Sequence, residues 1–457
     1  MTIGLTQALA EFVAKPTFGG QEQAAYAVAK TGFIDTIATM MAGHREPVVD
    51  VVRQFFAQTT TPAESPVPFL GTLHPAAQAA FINAVAGHAL DYDDVAISGH
   101  PSTVLVPAIL AEGHKLNRSG LDAVRAYIVG YEVWAELVSR EPEQYHLKGW
   151  HPTGVFGAVG AAAAVAYLNK LSVDEARQAL AISASLASGL VANFGTMTKP
   201  FHAGRAASHG IDAVRLSQLG MTSAPDVFEH PAGYLFALSL SGRADLKRPA
   251  DTLGKTLRIL DSGLSIKRYP VCYSSHRSID GVLAIVEREN LKAEDISKVH
   301  LTMGPAQASM LRNKHPVTGL EAKFSAQFAV ASAVVARQVG LSQLTDAFAT
   351  RPDVSELYGK VSVTTVNTVC PLEPAFALTD RVVIETKNGK TFDSGEIRFP
   401  LGNAKNPIDA AGLKAKFMDC VATGKAENPA MHGADAGLYD RIAGLENLPS
   451  VQSLFGK

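Results

Sequence analysis

The longest apolar stretch of the chain reads Gly154-Val155-Phe156-Gly157-Ala158-Val159-Gly160-Ala161-Ala162-Ala163-Ala164-Val165-Ala166-Tyr167-Leu168. It is too short to cross a membrane, which takes about 20 apolar residues. Its many Gly and Ala residues predict a buried helix that lets neighbouring helices approach closely. We therefore expect a helical domain with this segment inside it or at a subunit interface.

Apolar residues recur at helical spacing through the first 265 residues, and strand signals are scarce there. Phe33, Ile37 and Met41, for example, share one face of a predicted helix. Ser172, followed by two acidic residues, predicts a capped helix start. The predicted helices of this region cover roughly 21–42, 75–90, 103–115, 119–138, 153–169, 173–189 and 206–219.

The pattern changes after residue 265. Three β-branched, alternating segments predict strands at Lys298–Met303, Lys360–Val366 and Arg381–Thr386. Asn388-Gly389 predicts a type I′ hairpin that leads into a partner strand within Lys390–Phe399. Helical patterns lie near 276–290, 322–338, 341–349 and 409–422.

Together these patterns predict a mainly α protein with a large all-helical domain, 1–265 with 400–457, and a smaller α+β domain, 266–399. A length of 457 residues also favours two domains, because it exceeds what one core usually spans.

The overall composition excludes several partners. A net charge of −2 argues against a nucleic-acid or anionic-membrane surface. The three cysteines are widely spaced, and no signal peptide is apparent at the N-terminus, so we expect a cytoplasmic protein.

One segment concentrates positive charge among small residues: Lys199, His202 and Arg205 lie beside Gly204. Lys199 precedes a proline, which predicts an extended loop, and Arg205 then falls near the start of a helix. A helix N-terminus with cations beside it is a receptor for carboxylate or phosphate. The alternative interpretation is a solvated basic loop.

A second segment is acidic: Asp91, Asp93 and Asp94 precede His100. A carboxylate beside a histidine can supply a tuned general base. Alternatively, these acids lie in a helix-end loop, with Ser102 or Thr103 capping the next helix. No metal-ligand spacing such as HExxH or an EF-hand is present, so we expect no metal.

Two further segments hold histidines. His151 lies just ahead of the Ala-rich helix, where it could bind an anion or act only as a cap or interface residue. Lys267 and His276 lie at the passage between the predicted domains, where ligand clefts often form. His88, His202 and His209 are interpreted as structural.

Sparse polar groups in an apolar chain suggest a site that holds a small polyanion, such as a polycarboxylate, and moves its protons. The chain has no GxGxxG after a strand, no P-loop and no GxSxG elbow, which points to chemistry without a cofactor.

These segments, in this order, resemble the MmgE/PrpD family, which includes 2-methylcitrate dehydratases, cis-aconitate decarboxylases and an iminodisuccinate epimerase. The resemblance spans nearly the whole chain. It rests on Asp91–Asp94 with His100-Pro101-Ser102, Gly149-Trp150-His151, Lys199-Pro200 with Gly204 and Ala206-Ala207, Lys267 with Tyr269-Pro270 and His276, and Glu321–Ser325.

The resemblance implies a helical domain built from both chain ends, an α+β lid, a homodimer, and a site without metal or organic cofactor. By motif match it implies site positions at Asp91, His100, His151, Lys199 and His276. Two features differ from the dehydratases and decarboxylases: Val95 replaces their usual Thr, and the spacing from Asp94 to His100 is shorter. The segment 195–200 is more similar to the epimerase branch.

The reactions of this family share the gain or loss of a proton, or the loss of CO₂, beside a carboxylate. Fixed cations would stabilise the negative charge that develops. We assign that role to Lys199, Arg205 and His151, with Lys267 also contacting substrate. His100, with Asp91 either orienting it or acting as its partner base, would move the proton on one face, and His276 would act on the other.

Three functions stay open at this point. The first is a hydro-lyase or decarboxylase of a di- or tricarboxylate. The second is an epimerase or isomerase of a substituted succinate. The third is a non-catalytic helical dimer that binds a carboxylate or only a protein partner.

Overall fold

The structure is a computed structural model that describes residues 3–57 and 62–456. Its residues form two compact units: 1–192, 197–264 and 409–457 make up the larger one, and 193–196 with 265–408 the smaller one. The protein is mainly α, with 54% of its residues in helices and 10% in strands.

The larger unit contains helices close to those predicted over 21–42, 75–90, 103–115, 119–138, 153–169 and 173–189, a helix that starts well before the predicted 206–219, and further helices that were not predicted. They are α1 (Leu5–Ala14), α2 (Glu22–Gly43), α3 (Pro47–Phe56), α4 (Ala76–Ala89), α5 (Pro101–Lys115), α6 (Gly120–Val138), α7 (Pro152–Leu168), α8 (Val173–Leu186), α9 (Thr198–Gln218), α10 (Tyr234–Leu238) and α11 (Arg258–Ser262). Ser172 caps α8 as predicted, since its hydroxyl accepts the Glu175 amide.

The prediction that the larger unit is all-helical is wrong in one place. A short antiparallel ribbon, β1 (Ser65–Val67) and β2 (Thr72–His74), separates α3 from α4. The strands are three residues each, too short for a period-two pattern to be visible in the sequence. The left-handed backbone of Gly71, with φ of 65°, allows the sharp reversal between them.

The Ala-rich helix α7 lies in the interior and packs against α5, α6, α8 and α9. Its small residues permit this. A Cβ on Gly130 of α6 would lie 2.7 Å from the Gly160 carbonyl, and one on Gly210 of α9 would lie 2.4 Å from the Ala161 Cβ. Close contact between helices therefore explains why Gly and Ala are so frequent in residues 154–168.

The smaller unit contains α12 (His276–Arg288), β3 (Ile296–Met303), α13 (Pro305–Met310), α14 (Gly319–Ala322), α15 (Ala326–Val335), α16 (Asp346–Ala349), α17 (Pro352–Tyr358), β4 (Val361–Thr365), β5 (Asp380–Thr386) and β6 (Thr391–Ile397). Its sheet has the order β4-β3-β5-β6, and only the β3–β4 pair is parallel. Helix α12 packs on β5 and β6.

The four predicted strands are confirmed, with one change in the hairpin. Thr386 N–H donates to the Lys390 carbonyl, and Gly389 N–H donates to the Thr386 carbonyl. Of Asn388 and Gly389 only the glycine has a positive φ, of 81°. The turn is therefore a three-residue loop with a left-handed glycine, and the predicted type I′ turn is wrong.

The predicted helix over 322–338 is divided because the Ser325 hydroxyl accepts the Phe328 amide and restarts the helix as α15. After β6 the chain returns to the larger unit as α18 (Ala410–Glu427) and α19 (Leu438–Ala443). Helix α18 packs on α2. A membrane span needs a helix that is both long and strongly apolar, and none of the described helices meets both conditions.

Candidate active site

Three long helices of the larger unit begin at one group of polar side chains. His100 precedes the first residue of α5, and His151 precedes the first residue of α7. Both are followed by a proline, whose missing N–H costs nothing in a first turn. The His100 amide donates to Thr153 Oγ1 of α7 at 3.2 Å, which ties the two helix starts together.

Lys199 lies at the third of these helix starts, in the first turn of α9. The prediction of an extended loop there is wrong. Pro200 occupies a first-turn position, where no backbone N–H is needed, so the local preference of a residue before proline is overridden. The ammonium is buried, since the Lys199 side chain is only 5% exposed.

The acidic segment follows the end of α4 and adopts an unusual backbone. Asp91 has a φ of 51°, and Ile97 and Ser98 have φ values of 42° and 63°. Residues other than glycine seldom adopt this conformation, and those that do concentrate at functional sites. The segment from Asp91 to Asp94, here called the acidic loop, is buried.

The acidic loop contacts these helix starts and the end of α4 through a lysine and two histidines. Lys199 Nζ donates to Asp91 Oδ1 at 2.7 Å. His100 Nε2 lies 3.8 Å from the same oxygen, and His100 Nδ1 lies 3.1 Å from Asp93 Oδ2. His88 Nδ1, at the end of α4, lies 2.9 Å from Asp93 Oδ2. We call these five residues the polar cluster.

Burial and charge set the protonation of the cluster. Burial alone would raise the pKa of Asp93, but the imidazoles of His88 and His100 outweigh it and hold that pKa well below its usual range. Burial lowers the pKa of His88 to about 3. His88 is therefore neutral at pH 7, and as a neutral ring it donates from Nδ1 to the Asp93 carboxylate.

Two more histidines lie beside the cluster. His151 Nδ1 is 3.0 Å from His202 Nδ1, and the His151 ring stacks at 6.1 Å from that of His88. Burial, and then the charge of Lys199, lowers the pKa of His151 well below 6.5. Burial thus favours a neutral His151, which does not support the cationic role predicted for it, and that role stays a prediction.

His88 and His202 were interpreted from sequence as structural, yet both contact the candidate site residues. Burial, followed by the charges of His88 and Lys199, lowers the pKa of His202 to about 4. The useful sequence signal is spacing: Lys199 and His202 are three residues apart, so they share a face once both lie in α9.

The prediction that Arg205 lies near a helix start is wrong. Because α9 begins at Thr198, Arg205 is two turns further along, with its guanidinium 5.9 Å from the centre of the Phe81 ring. Burial, and then the charge of Arg205, lowers the pKa of His209 to about 4. The structure does not place Arg205 in the polar cluster.

Lys267 and His276 belong to the smaller unit, and both are buried. His276 is the first residue of α12, as predicted. The centre of its ring lies 5.1 Å from that of Tyr269 and 5.0 Å from that of Tyr273, and its Nε2 is 3.3 Å from the Val271 carbonyl.

Among the described residues, four side chains of the cluster could together hold a metal ion: His88, Asp91, Asp93 and His100 each offer a ligand atom within 4.8 Å of the others. Imidazole and carboxylate suit several divalent ions. The Lys199 ammonium already occupies one Asp91 oxygen, however, and repels a cation there.

The neutral state of His88 predicts a pH effect on stability. In the unfolded chain a histidine binds a proton below about pH 6.5, whereas folded His88 resists protonation down to about 3. Stability linked to neutral His88 is complete above pH 6.5 and is lost as the pH falls below it. His88→Gln removes this dependence. We expect the stability advantage of wild type over the variant to shrink by up to about 1.4 kcal/mol per pH unit.

Urea unfolding at about pH 7, 6 and 5 measures this difference. His432→Gln, at an exposed histidine, serves as the control and should follow wild type. An advantage of wild type over His88→Gln that stays constant across this range would contradict a neutral His88.

Two models of known protein-family domains match most of this chain. The chain matches the MmgE/PrpD N-terminal domain over residues 7–247 and the MmgE/PrpD C-terminal domain over residues 269–433. The chain belongs to the MmgE/PrpD family. The resemblance stated from the motifs is thereby confirmed.

Several relatives of this MmgE/PrpD protein carry the name cis-aconitate decarboxylase. The human protein is 31% identical over 359 residues, which cover 75% of this chain and 72% of its own. The mouse protein is 30% identical over 357 residues, covering 75% and 71% of the two chains. One from Aspergillus terreus is 25% identical over 452 residues, covering 93% and 90%.

Proposed function

We propose that this MmgE/PrpD protein is a lyase for a small polycarboxylate. It removes CO₂ from an acid of the cis-aconitate class or water from an acid of the 2-methylcitrate class. The observation that carries the proposal is the convergence of three helix starts and Lys199 on the paired Asp91 and His100. The relatives named as cis-aconitate decarboxylases support it.

Substrate binding follows from the direction of the helices. The N-terminal end of a helix carries partial positive charge and free backbone N–H groups. Helices α5, α7 and α9 are 15, 17 and 21 residues long, so each has a full dipole. A carboxylate of the substrate would bind at these ends and would share Lys199 with Asp91.

Proton transfer is assigned to His100. Carboxylates lie on both sides of its ring, Asp91 at 3.8 Å and Asp93 at 3.1 Å, and both stabilise positive charge on it. In a decarboxylation the bond to one carboxylate breaks, CO₂ leaves, and the electron pair remains in the carbon skeleton until carbon takes up a proton. His100 would deliver that proton, and Lys199 would stabilise the negative charge.

In a dehydration the same groups act in a different order. A base removes the proton from the carbon beside a carboxylate, and an acid protonates the hydroxyl that leaves as water. His151 and His202, whose Nδ1 atoms lie 3.0 Å apart, are weak bases because burial lowers the pKa of both, so the proton transfer stays assigned to His100.

Further parts of the proposal come from the family resemblance. It implies that the smaller unit acts as a lid which supplies His276 and Lys267, that the protein is a homodimer, and that no metal or organic cofactor takes part. His276→Gln tests the first of these: turnover equal to wild type would remove His276 from the mechanism.

A second candidate function is epimerisation of a substituted succinate. The family resemblance places segment 195–200, which includes Lys199, nearer to the epimerase branch than to the other members. An epimerase removes a proton beside a carboxylate and returns one from the other face, with no loss of CO₂ or water.

One experiment separates these functions. Small di- and tricarboxylic acids are first ranked by how far they raise the melting temperature of the protein. NMR then follows the best binders, with cis-aconitate and 2-methylcitrate always included, in D₂O. We expect loss of CO₂ or water; deuterium exchange without either loss would identify the epimerase. If no acid stabilises the protein or reacts, the enzyme proposal fails.

A further inference from the structure

A second group of buried charges lies against the acidic loop. Lys416, on α18, and Asp35, on α2, form an ion pair with Nζ 2.6 Å from Oδ1, and both side chains are almost completely buried. The pair joins helices from opposite ends of the sequence. None of the proposed catalytic steps uses it.

Lys416 also contacts the loop itself. Its Nζ donates to the backbone carbonyl of Tyr92 at 2.7 Å and lies 4.0 Å from the centre of the Tyr92 ring. Tyr92 is the residue between Asp91 and Asp93. One ammonium group therefore fixes the peptide that separates the two carboxylates of the polar cluster.

Asp94, the third carboxylate of the acidic loop, has a partner of its own. Asp94 accepts a hydrogen bond from Ser102, whose hydroxyl also contacts that of Tyr127. Burial, and then the charges of Asp35 and Asp93, raises the pKa of Asp94 well above its usual range. Burial also raises the pKa of Asp35, and the charge of Lys416 opposes that rise. The 2.6 Å contact identifies Asp35 as the counter-ion of Lys416.

The loop needs an external support because Asp91 has a left-handed backbone, with φ of 51°. Aspartate adopts that conformation more often than most residues with a side chain, but it still costs about 1 kcal/mol or more, and the surroundings must offset this cost. If it relaxed, the carboxylate that Lys199 and His100 share would move.

The position of α18 is itself fixed closely. Gly424 lies two turns beyond Lys416 on the same face of α18, and a Cβ there would come within 2.2 Å of the Met41 carbonyl on α2. Cys420, between them on this face, is fully buried. The ammonium of Lys416 is thus delivered by a helix with little freedom to shift.

We propose that Lys416 is a positioning residue for the reaction: with Asp35 as its counter-ion, it holds the acidic loop in the conformation that brings Asp91 and Asp93 to Lys199, His88 and His100. The expected effect of Lys416 on turnover rests on the proposed function. The expected effect on the conformation of the acidic loop does not.

A buried ion pair could instead serve stability alone, and two variants distinguish the roles. Lys416→Met leaves Asp35 as an unpaired buried charge, so it should lower both the melting temperature and turnover. The double variant Asp35→Asn/Lys416→Met removes both charges and should recover most of the melting temperature. It still lacks the donor to Tyr92, so we expect kcat to stay at least tenfold below wild type, with a smaller change in KM.

Lys414→Met is the matched control, because Lys414 lies on the same helix but is exposed and rests on the Tyr439 ring, 4.9 Å away. It should match wild type in melting temperature and kcat. A double variant with both the stability and the kcat of wild type would overturn the positioning role.

Crystal structures of wild type and of the double variant, both without substrate, test the loop directly. We expect Asp91 to leave its left-handed conformation or to lose its contact with Lys199 in the variant. An acidic loop unchanged in the variant would overturn the proposal. This measurement holds even if wild type turns over none of the acids tested, so failure of the proposed function and failure of the inference are distinguishable.

Discussion

Replacing Lys199 by Met is expected to lower kcat/KM for the substrate acid by about three orders of magnitude, which corresponds to about 4 kcal/mol of transition-state stabilisation. The ammonium is buried and is held against Asp91 at the start of α9. A methionine fills nearly the same space without charge. Steady-state rates with the acid that NMR identifies measure the effect.

The same substitution leaves Asp91 without its cation, so a lower melting temperature is also expected. Rates are therefore compared at a temperature where both proteins give the folded circular dichroism spectrum. Lys199→Arg keeps the charge and should retain part of the activity. Lys247→Met, at an exposed lysine, is the control. Turnover by Lys199→Met within a few-fold of wild type would exclude Lys199 from the mechanism.

Replacing His100 by Gln is expected to lower kcat by about 10²- to 10⁴-fold, because the variant loses the group assigned to proton transfer. Glutamine can still hydrogen-bond to Asp93 from a similar position, so KM and the melting temperature should change little. The rate of deuterium incorporation from D₂O at the reacting carbon reports the proton step and should fall in parallel with kcat.

His432→Gln changes an exposed histidine and should leave both rates unchanged. If His100→Gln incorporated deuterium as fast as wild type, another group would carry the proton, and His151 would be the next to test. A fall in kcat with unchanged deuterium incorporation would instead place His100 in a different step.

The helices and strands could be predicted well because their signals are local. Repeated apolar spacing and the capping Ser172 lie within single segments, and α2, α7 and α8 begin within a residue or two of the predicted positions. Local rules failed where the chain overrode them. The proline after Lys199 suggested a loop, but it lies in the first turn of a helix, and this error also misplaced Arg205.

The candidate site was predictable only in part. Asp91, His100, His151 and Lys199 come together in the structure, and each stands in a motif with other polar residues. His88 is the one histidine of the apolar helix α4, and nothing local separates it from a structural histidine. His202 could have been linked to the site only by its three-residue spacing from Lys199 in α9. His-Pro pairs at 100–101 and 151–152 precede two of the helices at the site, but the sequence has the same pair at 74–75, 230–231 and 315–316, so the pair alone does not identify the site.

Lys416 could not have been found from the sequence, because its partners are Asp35 and Tyr92, more than 300 residues earlier in the chain. No spacing rule covers that distance. Only the packing of α18 on α2 brings the ammonium to the acidic loop.

The central claim is that a polycarboxylate binds where α5, α7 and α9 begin. A crystal structure of His100→Gln with the best-binding tricarboxylate tests it most directly, since slow turnover preserves the bound acid. The account predicts one carboxylate within hydrogen-bond distance of Lys199 Nζ and near the first backbone amides of α5 or α7. Clear density for the acid at another place, with these helix starts holding only water, would contradict it.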